Sequence, residues 1–225
     1  MKYSILCTND KSFTISNIDF GETYHSVHGA IQESRQIYID LALMPFLNKN
    51  LPEINVFEMG FGTGLNCFLT YVLSKNVVIN YNTIEKFILP SDILKQLNYS
   101  SLISENDKHI FEEIHKCSWN LEKKISENFR LFKIQNDILD YNFPENHYDI
   151  VYYDAFSPET QPELWTESIF SNLYNALKIN GILVTYSAKG SVRRAMQSVG
   201  FTVERLPGPL GKREMLRGRK IDFRF

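Results

Sequence analysis

The stretch that most constrains this chain is 54–73. Ile54 to Phe57 form an apolar run, Glu58-Met59-Gly60-Phe61-Gly62-Thr63-Gly64-Leu65-Asn66 follow, and Cys67 to Leu73 are apolar again. That order reads strand, tight turn, helix, the repeating unit of open α/β sheets. Three glycines at alternate positions let the backbone take left-handed conformations and come close to a ligand. The helix that follows turns its unpaired first N–H groups toward the same point.

The rest of the chain alternates in the same way. Strands are expected over 77–85, 129–135, 148–153 and 182–186, and helices over 34–48, 90–97, 106–117, 166–178 and 191–199. The 148–153 run is almost wholly apolar, as in a parallel sheet covered on both faces. Asn180-Gly181 and Gly200 read as helix stops. Two β-like runs at 201–206 and 214–225 are too close for a parallel crossover and must pair antiparallel. Runs 3–8 and 12–18 flank Asn9-Asp10-Lys11 as a hairpin. The expected fold is therefore α/β: a Rossmann-like, doubly wound, mostly parallel sheet with an antiparallel C-terminal strand and a small N-terminal β-hairpin. One domain over 1–225 is expected, with 1–34 as hairpin and substrate-side loop and 35–225 as the core.

Bulk properties narrow the class. At 225 residues and 44% hydrophobic content, the chain can bury a full core. No apolar run approaches the roughly 20 residues needed to cross a bilayer, and Met1-Lys2-Tyr3-Ser4 starts no signal peptide. Cys7, Cys67 and Cys117 lie far apart, which fits reduced thiols in the cytoplasm, and His25 and His28 make only a weak pair, so no metal is expected. The charge is unevenly placed. From Lys189 onward ten Lys/Arg face three acids, a net +7 on a chain whose total is −2, so residues 1–188 carry −9. A basic end on an acidic body suggests a patch for a polyanion.

The glycine spacing bears on the cofactor. A dinucleotide turn reads G-x-G-x-x-G; here it is G-x-G-x-G, with Leu65 where the third glycine would stand and Glu58 two places before the first. This resembles the S-adenosylmethionine (SAM) site of Rossmann-like methyltransferases. A ligand-free turn and a dehydrogenase are the other readings. Ligands in open sheets lie beyond the carboxyl ends of the strands, and four acids fall there: Glu58, Glu85, Asp137 and Asp154. Glu85 suits the ribose hydroxyls, Asp137 the adenine amino group with Ile138 packed on the ring, and Glu58 the methionine ammonium, directly or through water. Gly60, Phe61, Gly62, Gly64, Asn66 and Lys86 are expected to hold the cofactor with them. For each acid a helix N-cap is the structural alternative.

Asp154 heads Asp154-Ala155-Phe156-Ser157-Pro158. Amine methyltransferases often carry Asp/Asn-Pro-Pro-Tyr/Phe here; this chain keeps the acid and Phe156 but not the paired prolines. A carboxylate suits an amine acceptor, because an alkylammonium of pKa about 10.4 hides its lone pair at neutral pH. Asp154 can take that proton and aim the nitrogen.

Together these segments resemble the MnmC-type tRNA 5-methylaminomethyl-2-thiouridine methyltransferase family. The resemblance runs through 24–34, 58–66, Glu85-Lys86-Phe87, 154–165, Thr185-Tyr186-Ser187-Ala188-Lys189-Gly190, Val192-Arg193-Arg194, Gly200-Phe201 and Gly211-Lys212-Arg213-Glu214-Met215-Leu216. It implies SAM as donor, with S-adenosylhomocysteine as product, and a 5-aminomethyl wobble uridine in a tRNA anticodon stem-loop as acceptor. It implies that Lys189, Arg193, Arg194, Lys212 and Arg213 meet the anticodon backbone, and that Tyr24, Phe156 and Trp165 stack on the splayed-out base; for Trp165, core packing is the stronger alternative. The best-known members fuse this domain to a flavin-dependent oxidase; the chain looks like a stand-alone form, and no FAD is expected. A small-amine methyltransferase, an aminopropyl transferase and a non-catalytic tRNA-binding module are the competing functions.

Overall fold

A computed structural model of the chain describes residues 2–49 and 51–222. Eight strands form the main sheet: β4 (Glu53–Met59), β5 (Val78–Glu85), β6 (Glu122–Ser126), β7 (Phe129–Gln135), β8 (Tyr148–Tyr153), β9 (Leu177–Thr185), β10 (Thr202–Pro207) and β11 (Glu214–Arg219). Their order is β10-β11-β9-β8-β4-β5-β7-β6. The five from β9 to β7 run parallel, and β6, β11 and β10 are antiparallel to their neighbours. The chain moves outward from β4 through β5 to β7 and then returns to the other side of β4 as β8. The order thus reverses between β4 and β8, where ligands of such sheets lie.

Side-chain alternation splits the core in two. Val56, Tyr81, Ile150 and Tyr152 point to one face, packed by helix α1 over 30–47, α2 (Leu65–Leu73) and α5 (Lys108–Lys116). Phe57, Ile84, Val151 and Tyr153 point to the other, packed by α6 (Glu167–Ala176) and α7 (Gly190–Ser198). The short helices α3 (Ser91–Leu94) and α4 (Tyr99–Ile103) lie between β5 and α5. A separate three-stranded sheet, β1 (Tyr3–Cys7), β2 (Phe13–Asn17) and β3 (Glu22–Thr23), precedes α1.

Several expectations need correction. Helix α1 starts at Ala30, not 34, and its middle, Arg35–Leu43, is a π-helical stretch. The helix expected over 90–97 shrinks to α3. Asn180-Gly181 does not stop a helix: α6 ends at Ala176, β9 begins at once, and Asn180 at φ 65 is a kink within the strand, donating its N–H to the Lys220 carbonyl at 2.7 Å. Strand β6 was not expected, and the last three residues of the run to 225 lie outside the described residues. The predicted antiparallel C-terminal pair is present.

Candidate active site

The carboxyl ends of β4, β5, β7 and β8 open onto a cavity of about 410 Å³. The glycine turn forms its floor, with Gly60, Gly62 and Gly64 at φ +88, +49 and +71. Protein, rather than open space, faces their missing side chains. A Cβ on Gly60 would come within 2.7 Å of the Asp154 carbonyl oxygen, and one on Gly64 within 2.9 Å of the His115 ring. Gly60 therefore lets the β4 turn pack on the tip of β8, and Gly64 seats α2 on α5. Gly64 does not line the cavity, contrary to expectation; Gly60, Phe61 and Gly62 do. The Phe61 ring is buried against His115 and Trp119, so only its backbone suits a ligand.

The four strand-end acids have different surroundings. Glu85 is half-buried in the cavity wall, where burial raises its carboxyl above the usual value while the Gly62 and Phe87 N–H groups donate to it at 3.1 and 2.8 Å. Asp137 caps the 3-10 turn Ile138–Asp140, accepting from the Leu139 N–H at 3.0 Å and from Lys86 Nζ at 2.6 Å. Against the raising effect of burial, these donors hold it below the ordinary carboxylate value. Asp137, Ile138 and Lys86 all line the cavity. Glu58 does not. It is fully buried on the α1/α2 face of β4, because the alternation that sends Phe57 to one side sends Glu58 to the other. The expectation that it faces a ligand ammonium is corrected.

Asp154 ends β8 half-buried in the cavity wall. Asn66 Nδ2, in the first turn of α2, donates to its Oδ2 at 2.9 Å. Burial pushes the Asp154 carboxyl up to about 6, with Tyr38, Asn66 and Lys212 opposing that rise and Glu33 adding to it. Tyr24 and Phe156 meet edge to face at 5.1 Å and Phe20 packs on Phe156 at 5.3 Å, which gives the cavity an aromatic roof supplied largely by the N-terminal sheet. Glu22 holds that roof down by accepting from Ser157 Oγ at 2.5 Å and from the Thr160 hydroxyl. Trp165 is no part of it. Its ring is buried on Tyr153 and its Nε1 donates to the Phe156 carbonyl at 2.9 Å, so stacking on a base is ruled out and core packing is the correct reading.

The basic tail is not one free patch. Lys212 lies in the cavity wall, paired with Glu33 at 2.8 Å and 3.9 Å from the Tyr186 ring centroid. Its charge thus faces the cavity rather than an open surface. Lys189 pairs with Glu159, and Arg217 and Arg219 share Glu204 at 2.7 and 3.1 Å. Lys220 caps chain carbonyls. Arg193, Arg194 and Arg213 have no ion pair among the described residues and do not line the cavity.

Glu33, Tyr186, Glu22 and Phe20 also line the cavity, although no motif singles them out, and so does His25. Buried His25 bonds the Thr63 hydroxyl within the glycine turn at 2.7 Å, and burial lowers its imidazole to about 4. Glu33 and Tyr186 stood inside the quoted segments 24–34 and 185–190. Their pairing through Lys212 was hidden by sequence distance.

A family model described as S-adenosyl-L-methionine-dependent methyltransferase matches residues 100–221, more than half of the chain, and the chain belongs to that family. Within it, the chain is similar to the tRNA 5-methylaminomethyl-2-thiouridine biosynthesis bifunctional protein MnmC of Leptospira borgpetersenii, 28% identical over 215 residues, which covers 91% of this chain and 33% of the relative. The protein of the same name from Actinobacillus pleuropneumoniae is 27% identical over 245 residues, 98% of this chain and 35% of the relative. The chain thus spans about a third of the length of these curated relatives. Among solved structures, MNMC2 from Aquifex aeolicus superposes with a TM-score of 0.81 at 27% identity, over 98% of this chain and 72% of that one. Spermidine synthase from Thermotoga maritima, at TM-score 0.58 and 16% identity, covering 99% of this chain and 73% of that one, shares the fold.

Proposed function

We propose that this chain transfers the SAM methyl group to the nitrogen of a 5-aminomethyl uridine at the tRNA wobble position, giving 5-methylaminomethyl(-2-thio)uridine. The observation that carries this reading is the half-buried Asp154 carboxylate, fixed by Asn66 in a cavity roofed by Tyr24 and Phe156. The likeness to MnmC proteins supports the choice of acceptor.

The chemistry follows from these residues. SAM supplies a methyl group that its sulfonium has already made electrophilic. The acceptor arrives as an ammonium, and freeing its lone pair at pH 7 costs at most about 4.6 kcal/mol. Asp154, raised to about 6, is a stronger base than an ordinary carboxylate and is still mostly ionised at pH 7. Lys212 places a fixed positive charge in the same wall, which disfavours the protonated acceptor. The carboxylate takes the proton, and the aromatic roof holds the base while the nitrogen is aimed at the methyl.

For the donor, the Gly60–Gly62 backbone, Glu85, Lys86, Asp137 and Ile138 are the residues that fit. Glu85 has acceptor capacity left for ribose hydroxyls, and Ile138 is an apolar platform for adenine. Arg194 and Arg213 are the cations best free to meet anticodon phosphates, and Arg193, half-buried with its Nε enclosed, can reach them through its outer nitrogens. A bacterial cytoplasm suits a tRNA substrate; no helix among the described residues is long and apolar enough to cross a membrane. Aminopropyl transfer to polyamines is the competing reading, and activity on polyamines with indifference to tRNA would favour it.

The test is mass spectrometry of wobble nucleosides from cells lacking this protein. The unmethylated 5-aminomethyl form should accumulate. An unchanged nucleoside profile overturns the reading.

A further inference from the structure

Behind Asp154 lies a buried polar cluster of which the reaction above uses only Asn66. Glu58 Oε1 and Oε2, Asn66 Oδ1, Tyr81 OH and Thr83 Oγ1 are all buried without a hydrogen-bond partner. They are neighbours: Tyr81, Thr83 and Asn66 are the groups whose polar atoms face the Glu58 carboxyl. Five orphaned polar atoms in one place are exceptional in a folded core and call for a physical reason. The groups acting on Glu58 come from every element around it. They are Tyr81 and Thr83 on β5, Asn66 and Cys67 on α2, and Tyr152 and Asp154 on β8. They are hydroxyls, an amide, a thiol and a second carboxyl; Lys133 acts on Cys67, but no cation is among the groups acting on Glu58.

The amide between the two carboxyls is the informative part. Asn66 has one acceptor and one donor end. Its Nδ2 donates to Asp154 Oδ2 at 2.9 Å, which leaves Oδ1 turned to the buried side. An ionised Glu58 would offer only acceptors and would draw Nδ2 toward itself, away from Asp154. A neutral Glu58 offers an O–H that Asn66 Oδ1 can accept and an ionised one cannot, while the Tyr81 and Thr83 hydroxyls can donate to it in either state. Tyr81 and Thr83 donate to its carbonyl oxygen, its O–H donates to Asn66 Oδ1, and Nδ2 remains on Asp154.

We propose that Glu58 is a positioning residue that acts as a neutral carboxylic acid, donating to the Asn66 amide oxygen and so fixing the amide with its N–H on Asp154. Burial, with the nearby Asp154 carboxyl adding to it, raises the Glu58 carboxyl well above the usual carboxylate range against the lowering effect of Thr83, Tyr81 and Asn66, which agrees with this. The inference rests on the reading of Asp154 as the acceptor-side base, but the state of Glu58 can be measured without an acceptor.

The experiment compares wild type with Glu58→Gln and Glu58→Leu. Infrared difference spectra between the wild type and Glu58→Gln should show a protonated carboxyl C=O band at neutral pH that is lost in the variant. Gln keeps an N–H donor for Asn66, so the carboxylate titration of Asp154, followed by carbon NMR of the protein without tRNA, should match wild type. Leu removes the donor, so Asp154 should titrate at higher pH. In turnover, Gln should stay within about twofold, and Leu should lose about tenfold in kcat, the loss of one hydrogen bond of about 1.4 kcal/mol, with SAM affinity intact. Three results overturn the proposal: no protonated band assignable to Glu58, an Asp154 titration unmoved in Glu58→Leu, or SAM affinity lost in both variants. If the spectroscopic arm holds while no tRNA is methylated, the proposed function fails and the Glu58 assignment stands.

Discussion

Asn66 and Asp154 face each other across the gap between α2 and the tip of β8, with Nδ2 of the one donating to Oδ2 of the other at 2.9 Å. The bond joins the helix that follows the glycine turn to the acid proposed to face the acceptor. Donor side and acceptor side are thereby held in one rigid frame.

Replacing Asp154 by Asn keeps the shape and removes the base. Turnover should fall by about 10²- to 10⁴-fold, while SAM affinity by calorimetry stays within a few-fold. Equal loss of both would make the acid structural.

The same acid sets a pH signature. Its folded value, about 6, lies above the unfolded value of about 3.9. A raised carboxyl favours the folded state while protonated, so that contribution is full below about pH 4 and is lost as pH rises through about 6. Relative to Asp154→Asn, the wild type should lose stability of order 1–2 kcal/mol over that window. Its turnover should rise across the upper part of the window. Melting curves and rate profiles on the same buffers check both.

Lys212 is predicted to act from the cavity wall. Lys212→Met strips the buried Glu33 of its cation and should destabilise the fold by about 2 kcal/mol, between the values for exposed and buried pairs. It should also shift the acid limb of the rate profile upward, because a positive charge beside Asp154 is gone. Glu33→Gln in the same chain should recover much of the stability and little of the rate, which chemical denaturation and kinetics separate.

The free arginines carry the contrasting prediction. Changing Arg193, Arg194 or Arg213 to Gln should weaken tRNA binding and reduce the slope of log affinity against log salt by about one each. Arg219→Gln, which loses only its bond to Glu204, should leave that slope unchanged. Salt titrations of tRNA binding decide.

Much of this was legible in the residues. Strands β4 and β8 announce themselves as apolar runs and β5 and β7 as apolar residues interleaved with polar ones, and an acid stands at or just past the end of each because a parallel sheet aligns those ends. Strand β6 was invisible because Glu122-Lys123-Lys124 is a charged, exposed edge without alternation. Asn180-Gly181 imitated a helix stop because a left-handed Asn serves equally as a kink within a strand. Glu58 was placed in the ligand site because it adjoins the glycine turn, yet one step along a strand reverses the face. The tail was read as a free basic patch because its partners, Glu33, Glu159 and Glu204, are brought to Lys212, Lys189 and Arg217 by the fold alone.

The central claim is that Asp154 presents an aminomethyl nitrogen to the SAM methyl group, and reconstitution tests it most directly. Purified protein, isotopically labelled SAM and tRNA carrying 5-aminomethyluridine are mixed, and the digested nucleosides are weighed. The account predicts one labelled methyl on the exocyclic nitrogen of the wobble nucleoside, lost in Asp154→Asn. Label on any other atom, or none while SAM is bound, would contradict it.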